Sequence, residues 1–137
     1  MYLVDTNVIS DLRVKSKINA KVVEWFSNIS EGDLYLSVIT LMELEKGVLG
    51  KERKDKAQGA ILRHWLDSYI LPTFQDRTLP IDAGIALSCA RLHVPNKRAE
   101  ADSLIAATAI AHGMTVVTRN LKDFKGMGVK LINPWAG

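Results

Sequence analysis

The sequence of 137 residues contains few of the residues that build disulfide frameworks or zinc sites. It has one cysteine, Cys89, and three histidines that are well separated from one another, at positions 64, 93 and 112. A single cysteine cannot form an intramolecular disulfide, and no His/Cys spacing typical of a zinc site is present. The composition therefore excludes a disulfide-stabilised or zinc-stabilised fold and favours a reducing, cytoplasmic setting.

Long hydrophobic runs and phosphate-binding glycine loops are also missing. The longest apolar run, residues 104–111, is well short of the roughly 18–20 residues that a membrane helix requires. The first residues reach an acid at Asp5 without a basic segment, so we expect no signal peptide. None of the nine glycines belongs to the loop of a P-loop nucleotide-binding protein. Membrane-spanning and P-loop classes are thereby excluded.

What remains is typical of one soluble globular domain, expected to span residues 1–137. The content is 47% hydrophobic and 24% charged, which argues against disorder. A chain of this length buries enough apolar surface to fold by itself. The net charge of +3 permits a polyanionic partner but does not demonstrate one.

Short apolar strands alternate with amphipathic helices along the sequence. Strands are predicted at residues 2–4, 34–36, 78–81, 115–118 and 130–132, and helices at 19–26, 40–48, 57–71, 83–92 and 100–112. We expect Pro72 to close the third helix, Asp82 to cap the fourth and Gly113 to end the last. This alternation predicts an α/β sandwich around a mainly parallel sheet of four to five short strands.

Four acids fall where such a sheet binds ligands, beyond the carboxyl ends of its strands. Asp5 follows the first strand and Asp123 follows the strand at 115–118, while Glu43 and Asp102 lie near helix starts. Singly, each acid has a simpler explanation. Asp5 could cap a helix, Glu43 could be solvated, Asp102 could favour a helix dipole and Asp123 could end a turn.

Taken together, the same acids predict a site for a hard metal ion. Two carboxylates about 5 Å apart repel each other by roughly 3 kcal/mol at an effective dielectric constant of 20. A cluster of acids would therefore destabilise the fold unless a cation neutralised it. Oxygen ligands suit Mg²⁺ or Mn²⁺. The prediction holds only if the fold brings the acids together.

Several motifs occur in a fixed order along the chain. They are Leu3-Val4-Asp5-Thr6-Asn7-Val8-Ile9-Ser10, Leu36-Ser37-Val38-Ile39-Thr40 leading to Met42-Glu43-Leu44 and Gly47, Ala101-Asp102 with Ile105-Ala106-Ala107-Thr108-Ala109, Thr118-Arg119-Asn120-Leu121-Lys122-Asp123-Phe124, and Asn133-Pro134-Trp135. In this order and spacing the chain resembles the PIN-domain ribonucleases, and among them the VapC/FitB-like toxins of type II toxin–antitoxin systems. The resemblance covers essentially the whole chain, and the closing Asn-Pro-Trp is similar to the FitB-like branch.

The resemblance implies a PIN-like α/β/α sandwich and a metal-dependent endoribonuclease that leaves a 5′-phosphate and a 3′-hydroxyl. It implies that Asp5, Glu43 and Asp102 hold Mg²⁺ or Mn²⁺ and take part in catalysis. Asp123 is expected to be a fourth catalytic acid, in a supporting or water-mediated role.

Three further residues have roles that the resemblance implies. Some members of the family have an acid where this chain has Asn120, and here we expect Asn120 to orient substrate or water. The hydroxyls of Thr6 and Thr118 are expected to position a carboxylate or a phosphate.

The resemblance also implies an RNA substrate, a homodimer and a cognate antitoxin. The antitoxin's C-terminal segment would dock in a hydrophobic groove, for which the helix carrying Trp25 and Phe26 is our candidate. Basic residues at 51–56 and around 97, 98, 119, 122 and 125 would attract RNA. For residues 51–56 the alternative, a solvated helix turn, is equally open.

Two other functions were weighed against this one. A haloacid-dehalogenase-like phosphatase also has an aspartate after its first strand, but it needs a second aspartate where Asn7 stands. A catalytically inactive PIN-like module that binds RNA or protein would share the fold. The presence of Asp5, Glu43 and Asp102 counts against the inactive module, because buried acids are costly to keep.

Overall fold

Five short strands form a parallel sheet in the order β3-β2-β1-β4-β5 in the computed structural model of the chain. The strands are β1 (Tyr2–Val4), β2 (Leu34–Ser37), β3 (Thr78–Leu79), β4 (Thr115–Val117) and β5 (Leu131–Ile132). The structure describes residues 1–136, and Gly137, the last residue of the expected domain, lies outside them. The predicted α/β sandwich with a parallel sheet is confirmed.

Helices cover both faces of this sheet. They are α1 (Thr6–Leu12), α2 (Ala20–Ser27), α3 (Val38–Lys54), α4 (Lys56–Trp65), α5 (Leu71–Thr73), α6 (Ala83–Leu92), α7 (Glu100–His112) and α8 (Leu121–Phe124). Asp82 caps α6 by accepting from the Ile85 backbone N–H at 2.8 Å, and Gly113 ends α7 in the left-handed conformation, as expected. Among the described residues, each helix is too short or too polar to cross a bilayer.

Alternating side chains of the two central strands build two hydrophobic cores. Val4 and Val117 point to one face of the sheet, where they pack against α1, α3 and the segment after α4. Leu3 and Val116 point to the other face, towards α7 and α8. Each of these side chains is at most 1% exposed, and burying one stabilises the fold by about 1.5–3 kcal/mol. The residues that follow β1 and β4 therefore extend from two strands that are held rigidly by the packing of both cores.

The strand order reverses between β1 and β4. The strands β2 and β3 extend the sheet on one side of β1, whereas β4 and β5 extend it on the other. Val4 is in register with Val117, so the next residues, Asp5 and Thr118, leave the sheet side by side. Open α/β sheets bind ligands at such a switch point, outside the carboxyl ends of the strands.

The helix predicted at residues 57–71 differs from the prediction in its second half. It runs as α4 to Trp65, widens into a π-helical turn over Leu66–Ile70 and continues as α5. Pro72 therefore lies inside the last helical segment and does not close it, which corrects our expectation. A proline is tolerated there because it stands in the first turn of α5. The wide turn places Leu66 and Ile70 in the core.

Gly59 lies where α4 packs tightly against α3. Arg63 of α4 also joins the two helices, because it donates hydrogen bonds of 2.7 Å to both carboxylate oxygens of Glu45. A Cβ atom at position 59 would lie 2.4 Å from the Glu52 Cα. We expect Gly59→Ala to lower the free energy of unfolding by about 1–3 kcal/mol, because the backbones must separate. The matched control is Gly50→Ala, whose Cβ meets nothing within 4 Å and which should stabilise α3 by up to about 1 kcal/mol. Urea denaturation measures both, and an equal effect of the two changes would contradict the packing argument.

Candidate active site

Asp5 is fixed at the end of β1 by two hydrogen bonds. Its Oδ1 accepts from the Thr6 backbone N–H at 2.9 Å, and its Oδ2 accepts from the Thr118 hydroxyl at 2.8 Å. The residue is only 5% exposed. Burial raises the pKa of Asp5 above its ordinary value, although the two hydrogen bonds act in the opposite direction. Asp5 thus both caps α1 and presents a buried carboxylate at the switch point.

Glu43 reaches the same region from α3. This helix starts directly after β2 because the Ser37 hydroxyl caps it, accepting from the Ile39 backbone N–H at 3.0 Å. Glu43 Oε1 accepts from the Thr6 hydroxyl at 2.6 Å, and the same hydroxyl oxygen lies 3.1 Å from that of buried Thr40. Because Thr6 gives its only hydroxyl proton to the carboxylate, Thr40 donates to Thr6. A chain of two hydroxyls therefore orients Glu43.

Asp102 and Asp123 complete a group of four acids. Asp102 is half-buried in the first turn of α7, where no side chain caps the helix. Burial raises the pKa of Asp102 to about 6, and repulsion from Asp5, Asp123 and Glu43 adds to this shift. Asp123 is exposed on α8 and lies near enough to raise the pKa of Asp5 as well. The charges of neighbouring acids thus raise the pKa of both Asp5 and Asp102. We call the four acids, Asp5, Glu43, Asp102 and Asp123, the acid cluster.

The Thr118 hydroxyl links this cluster to the segment that leads into α8. It is fully buried, donates to Asp5 and accepts from the Asn120 backbone N–H at 3.0 Å. Asn120 itself is exposed, and its side chain makes no capping hydrogen bond to α8. Both threonine hydroxyls singled out in the sequence thus hold carboxylates, whereas the role of the Asn120 side chain stays a prediction.

The acid cluster has no basic partner in the part of the chain that the structure describes. No lysine or arginine among residues 1–136 forms an ion pair with any of the four acids. Arg119, which follows Thr118 directly, pairs with Asp11 at 2.8 Å and lies over the Trp135 ring at 4.6 Å. Burial and the repulsion that adds to it raise the pKa of Asp5 and Asp102, and no ion pair among residues 1–136 offsets them, so a bound cation would relieve both.

The chemistry of the donors fits a hard divalent ion, because the cluster offers only carboxylate and hydroxyl oxygens. As the side chains stand, no three carboxylates, imidazoles or thiolates in the described part of the chain are grouped tightly enough to hold an ion. Mg²⁺ commonly keeps several waters and takes one or two protein carboxylates, so it also suits a looser cluster. The assignment of Asp5, Glu43 and Asp102 as ligands stays a prediction.

Comparison with known proteins settles the family. Residues 2–130 match the family described as PIN domain. The chain belongs to the PIN-domain family. Relatives of this PIN domain include the toxin FitB of Neisseria gonorrhoeae, 38% identical over 98% of this chain and 99% of its own length. A VapC ribonuclease of Sinorhizobium fredii is also 38% identical, over 98% of each chain. The crystal structure of FitAcB from Neisseria gonorrhoeae has a TM-score of 0.84 and 38% identity, covering 98% of this chain and 99% of that one.

The PIN domain also has an apolar groove, which we call the α1–α2 groove. Its volume is about 500 Å³, and its wall is formed by α1, α2, the end of α4 and the π-helical turn. Phe26 lines the groove, as expected, but Trp25 packs edge-on against Tyr2 and Phe26 instead. Val23 and Tyr69 also line it and are 58% and 57% exposed. This surface is unusually apolar for one open to solvent.

Thr40 and Ser37 are functional residues that the sequence motifs of this PIN domain did not reveal. Both are polar and fully buried, and both serve Glu43, one through the hydroxyl chain and the other by starting α3. The only signal was indirect. Both residues belong to a motif that leads into Glu43, but its pattern does not reveal which hydroxyl contacts which acid.

Proposed function

We propose that this PIN domain is a metal-dependent endoribonuclease and the toxin of a type II toxin–antitoxin pair. The observation that supports the proposal is the acid cluster itself. Four carboxylates from four separate segments converge at the switch point without a basic partner among residues 1–136. A fold keeps such repulsion only if it serves a function, and the relatives are named as a toxin and a ribonuclease. The single cysteine favours a cytoplasmic location.

The residues of the cluster have distinct tasks in this proposal. Asp5, Glu43 and Asp102 would hold Mg²⁺ or Mn²⁺; when bound, such an ion makes water at the site more acidic and neutralises charge on the phosphate. Thr118 and Thr6 keep Asp5 and Glu43 oriented through their hydroxyls.

In this proposal Asp102 or Glu43 accepts the proton of the attacking water. Asp123 and Asn120 stand at the exposed side of the cluster, where they would orient the phosphate or water.

We assign the α1–α2 groove to the antitoxin. A groove of about 500 Å³ lined mainly by apolar side chains suits the apolar face of a peptide helix or an extended segment. The half-exposed Val23 and Tyr69 would become buried on binding. Homodimer formation, which the family resemblance implies, stays a prediction.

Purified protein should cleave RNA only with a divalent ion. We expect products with a 5′-phosphate in Mg²⁺ or Mn²⁺ and at least about a 100-fold slower reaction in excess EDTA, because water activation and charge neutralisation are lost together. Gel analysis of a structured RNA measures the rates. Equal rates in EDTA would contradict the metal proposal.

Two companion measurements separate the enzyme from the inactive binding module. Calorimetric titration with Mn²⁺ should show specific uptake, which the inactive module would lack. Induction of the chain without its antitoxin should arrest growth. Unimpaired growth would contradict the toxin assignment while leaving the nuclease intact.

A further inference from the structure

A second, smaller cavity opens directly beside the acid cluster. It has a volume of about 230 Å³ and lies between α1, α3 and α4. Glu43 forms part of its wall, and the other polar or aromatic groups around it include Ser10, Arg13 and Trp65. Gly47 lines the cavity one helical turn after Glu43. We call this cavity the Gly47 pocket.

Gly47 accounts for the open space in this pocket. A Cβ atom at position 47 would meet nothing within 4 Å, whereas one at Gly59 would collide with a neighbouring helix. Close packing therefore does not explain the glycine, and glycine inside a helix costs about 1 kcal/mol relative to alanine. Positions 43 and 47 share one face of α3, and side chains on a helix lean towards its amino end. Any side chain at position 47 would therefore fill space next to Glu43.

Arg13 brings a positive charge to this pocket, and it also lines the neighbouring α1–α2 groove, as does Trp65. Its side chain is exposed and forms no ion pair within residues 1–136, while its guanidinium lies 5.8 Å from the centre of the Trp65 ring. A guanidinium group binds phosphate well, and an aromatic ring can stack on a nucleobase. The Ser10 hydroxyl adds a hydrogen-bonding group on the same side.

We propose that the Gly47 pocket binds the nucleotide adjacent to the scissile phosphate of the RNA. This proposal rests on the function proposed above, because an RNA strand with a phosphate at the acid cluster must continue past Glu43. Arg13 would pair with the phosphate of that nucleotide, and Trp65 with the apolar wall would contact its base. The volume is below the roughly 300–1,000 Å³ of pockets for drug-sized ligands, which suits one nucleotide better than a folded peptide segment.

Two substitutions test the pocket by different means. Gly47→Leu fills it without meeting a neighbouring atom at Cβ, and Arg13→Gln removes its charge. We expect Gly47→Leu to weaken RNA binding at least about tenfold, which corresponds to the loss of one stacked base. For Arg13→Gln we expect about a fivefold loss. The slope of log affinity against log salt should also fall by about 0.7, as for one lost phosphate contact with a single strand.

The controls match each substitution in kind. Gly50→Leu places the same side chain on α3, again with nothing within 4 Å of its Cβ, but position 50 does not line the pocket. Lys15→Gln removes one exposed positive charge two residues from Arg13, and Lys15 does not line the pocket either. Both controls should bind RNA within about twofold of the unmodified chain. The thermal midpoint of Gly47→Leu should not fall, because leucine favours helix more than glycine does.

The measurement is fluorescence anisotropy with a short, labelled, single-stranded oligoribonucleotide in Ca²⁺ on ice, with the RNA checked on a gel afterwards. Unchanged affinity in both pocket variants would overturn the proposal, and so would an unmodified chain that does not bind the RNA. If the pocket variants keep their affinity for RNA but no longer bind a co-expressed antitoxin, the pocket is a peptide site. That result would also overturn the proposal. A chain that binds RNA through this pocket but does not cleave it with Mg²⁺ or Mn²⁺ would overturn only the nuclease proposal.

Discussion

Replacing Asp5 by asparagine is expected to slow RNA cleavage on the order of 1,000-fold, a loss of about 4 kcal/mol of transition-state stabilisation. Asp5 is the most buried acid of the cluster, and both of its oxygens are fixed by hydrogen bonds to Thr6 and Thr118. Asparagine has the same shape and keeps one acceptor oxygen, so α1 remains capped and the protein remains folded. Single-turnover cleavage in Mn²⁺ measures the effect, with circular dichroism to confirm the fold.

The matched control for this change is Asp11→Asn. Asp11 also belongs to α1, but it pairs with Arg119 at 2.8 Å and Lys17 at 3.2 Å, and it is not part of the acid cluster. We expect its replacement to change cleavage by less than about threefold, because it alters an exposed ion pair worth at most about 1 kcal/mol. An active Asp5→Asn variant, or equal losses in both variants, would rule out Asp5 as the central acid.

Replacing Asp102 by asparagine should make the protein more stable while it loses activity. An acid whose pKa is raised in the folded state destabilises that state as the pH rises from the ordinary value of 3.8 to the shifted value of about 6. The gain from Asp102→Asn should therefore be complete above pH 6 and disappear below about pH 4. A shift of two pKa units corresponds to about 3 kcal/mol, but the side chain is only half-buried and solvent screens it, so we expect a gain of about 1 kcal/mol.

Urea denaturation at several pH values, without divalent ions, measures this gain. The exposed first-turn acid of the same helix, Glu100, supplies the control: Glu100→Gln should not reproduce the pH-dependent gain. Mn²⁺ should raise the thermal midpoints of the unmodified chain and of the Glu100→Gln variant. It should raise the thermal midpoint of the Asp102→Asn variant much less. If Asp102→Asn destabilises the protein at pH 7.5, the burial and repulsion that raise the pKa of Asp102 are not the dominant effects at this position.

The fold was largely predictable because local patterns agree with the final packing. Short segments with two or three apolar residues mark all five strands, and Asp82 and Gly113 mark helix ends that the structure retains. The prediction was wrong where tertiary packing changes helix geometry. The π-helical turn at Leu66–Ile70 has both of these apolar side chains in the core, and Pro72 fits the helical segment that follows it.

The acid cluster was less predictable than the fold. The types of acid could be read from the sequence, but their contacts depend on residues far apart in the chain. Thr6 contacts Glu43 across 37 positions, and Thr118 contacts Asp5 across 113. Periodicity describes only neighbours within a turn or a strand. The loose spacing of the carboxylates likewise depends on the positions of the side chains, which a sequence motif does not predict.

The pairing of β1 with β4 determines when, during synthesis, the acid cluster can assemble. During synthesis the first strand leaves the ribosome early, but the neighbour that brings Thr118 to Asp5 is made more than a hundred residues later. A nascent chain that lacks β4 therefore has no assembled acid cluster. The nuclease activity proposed above thus requires that residues 115–118 have already been made.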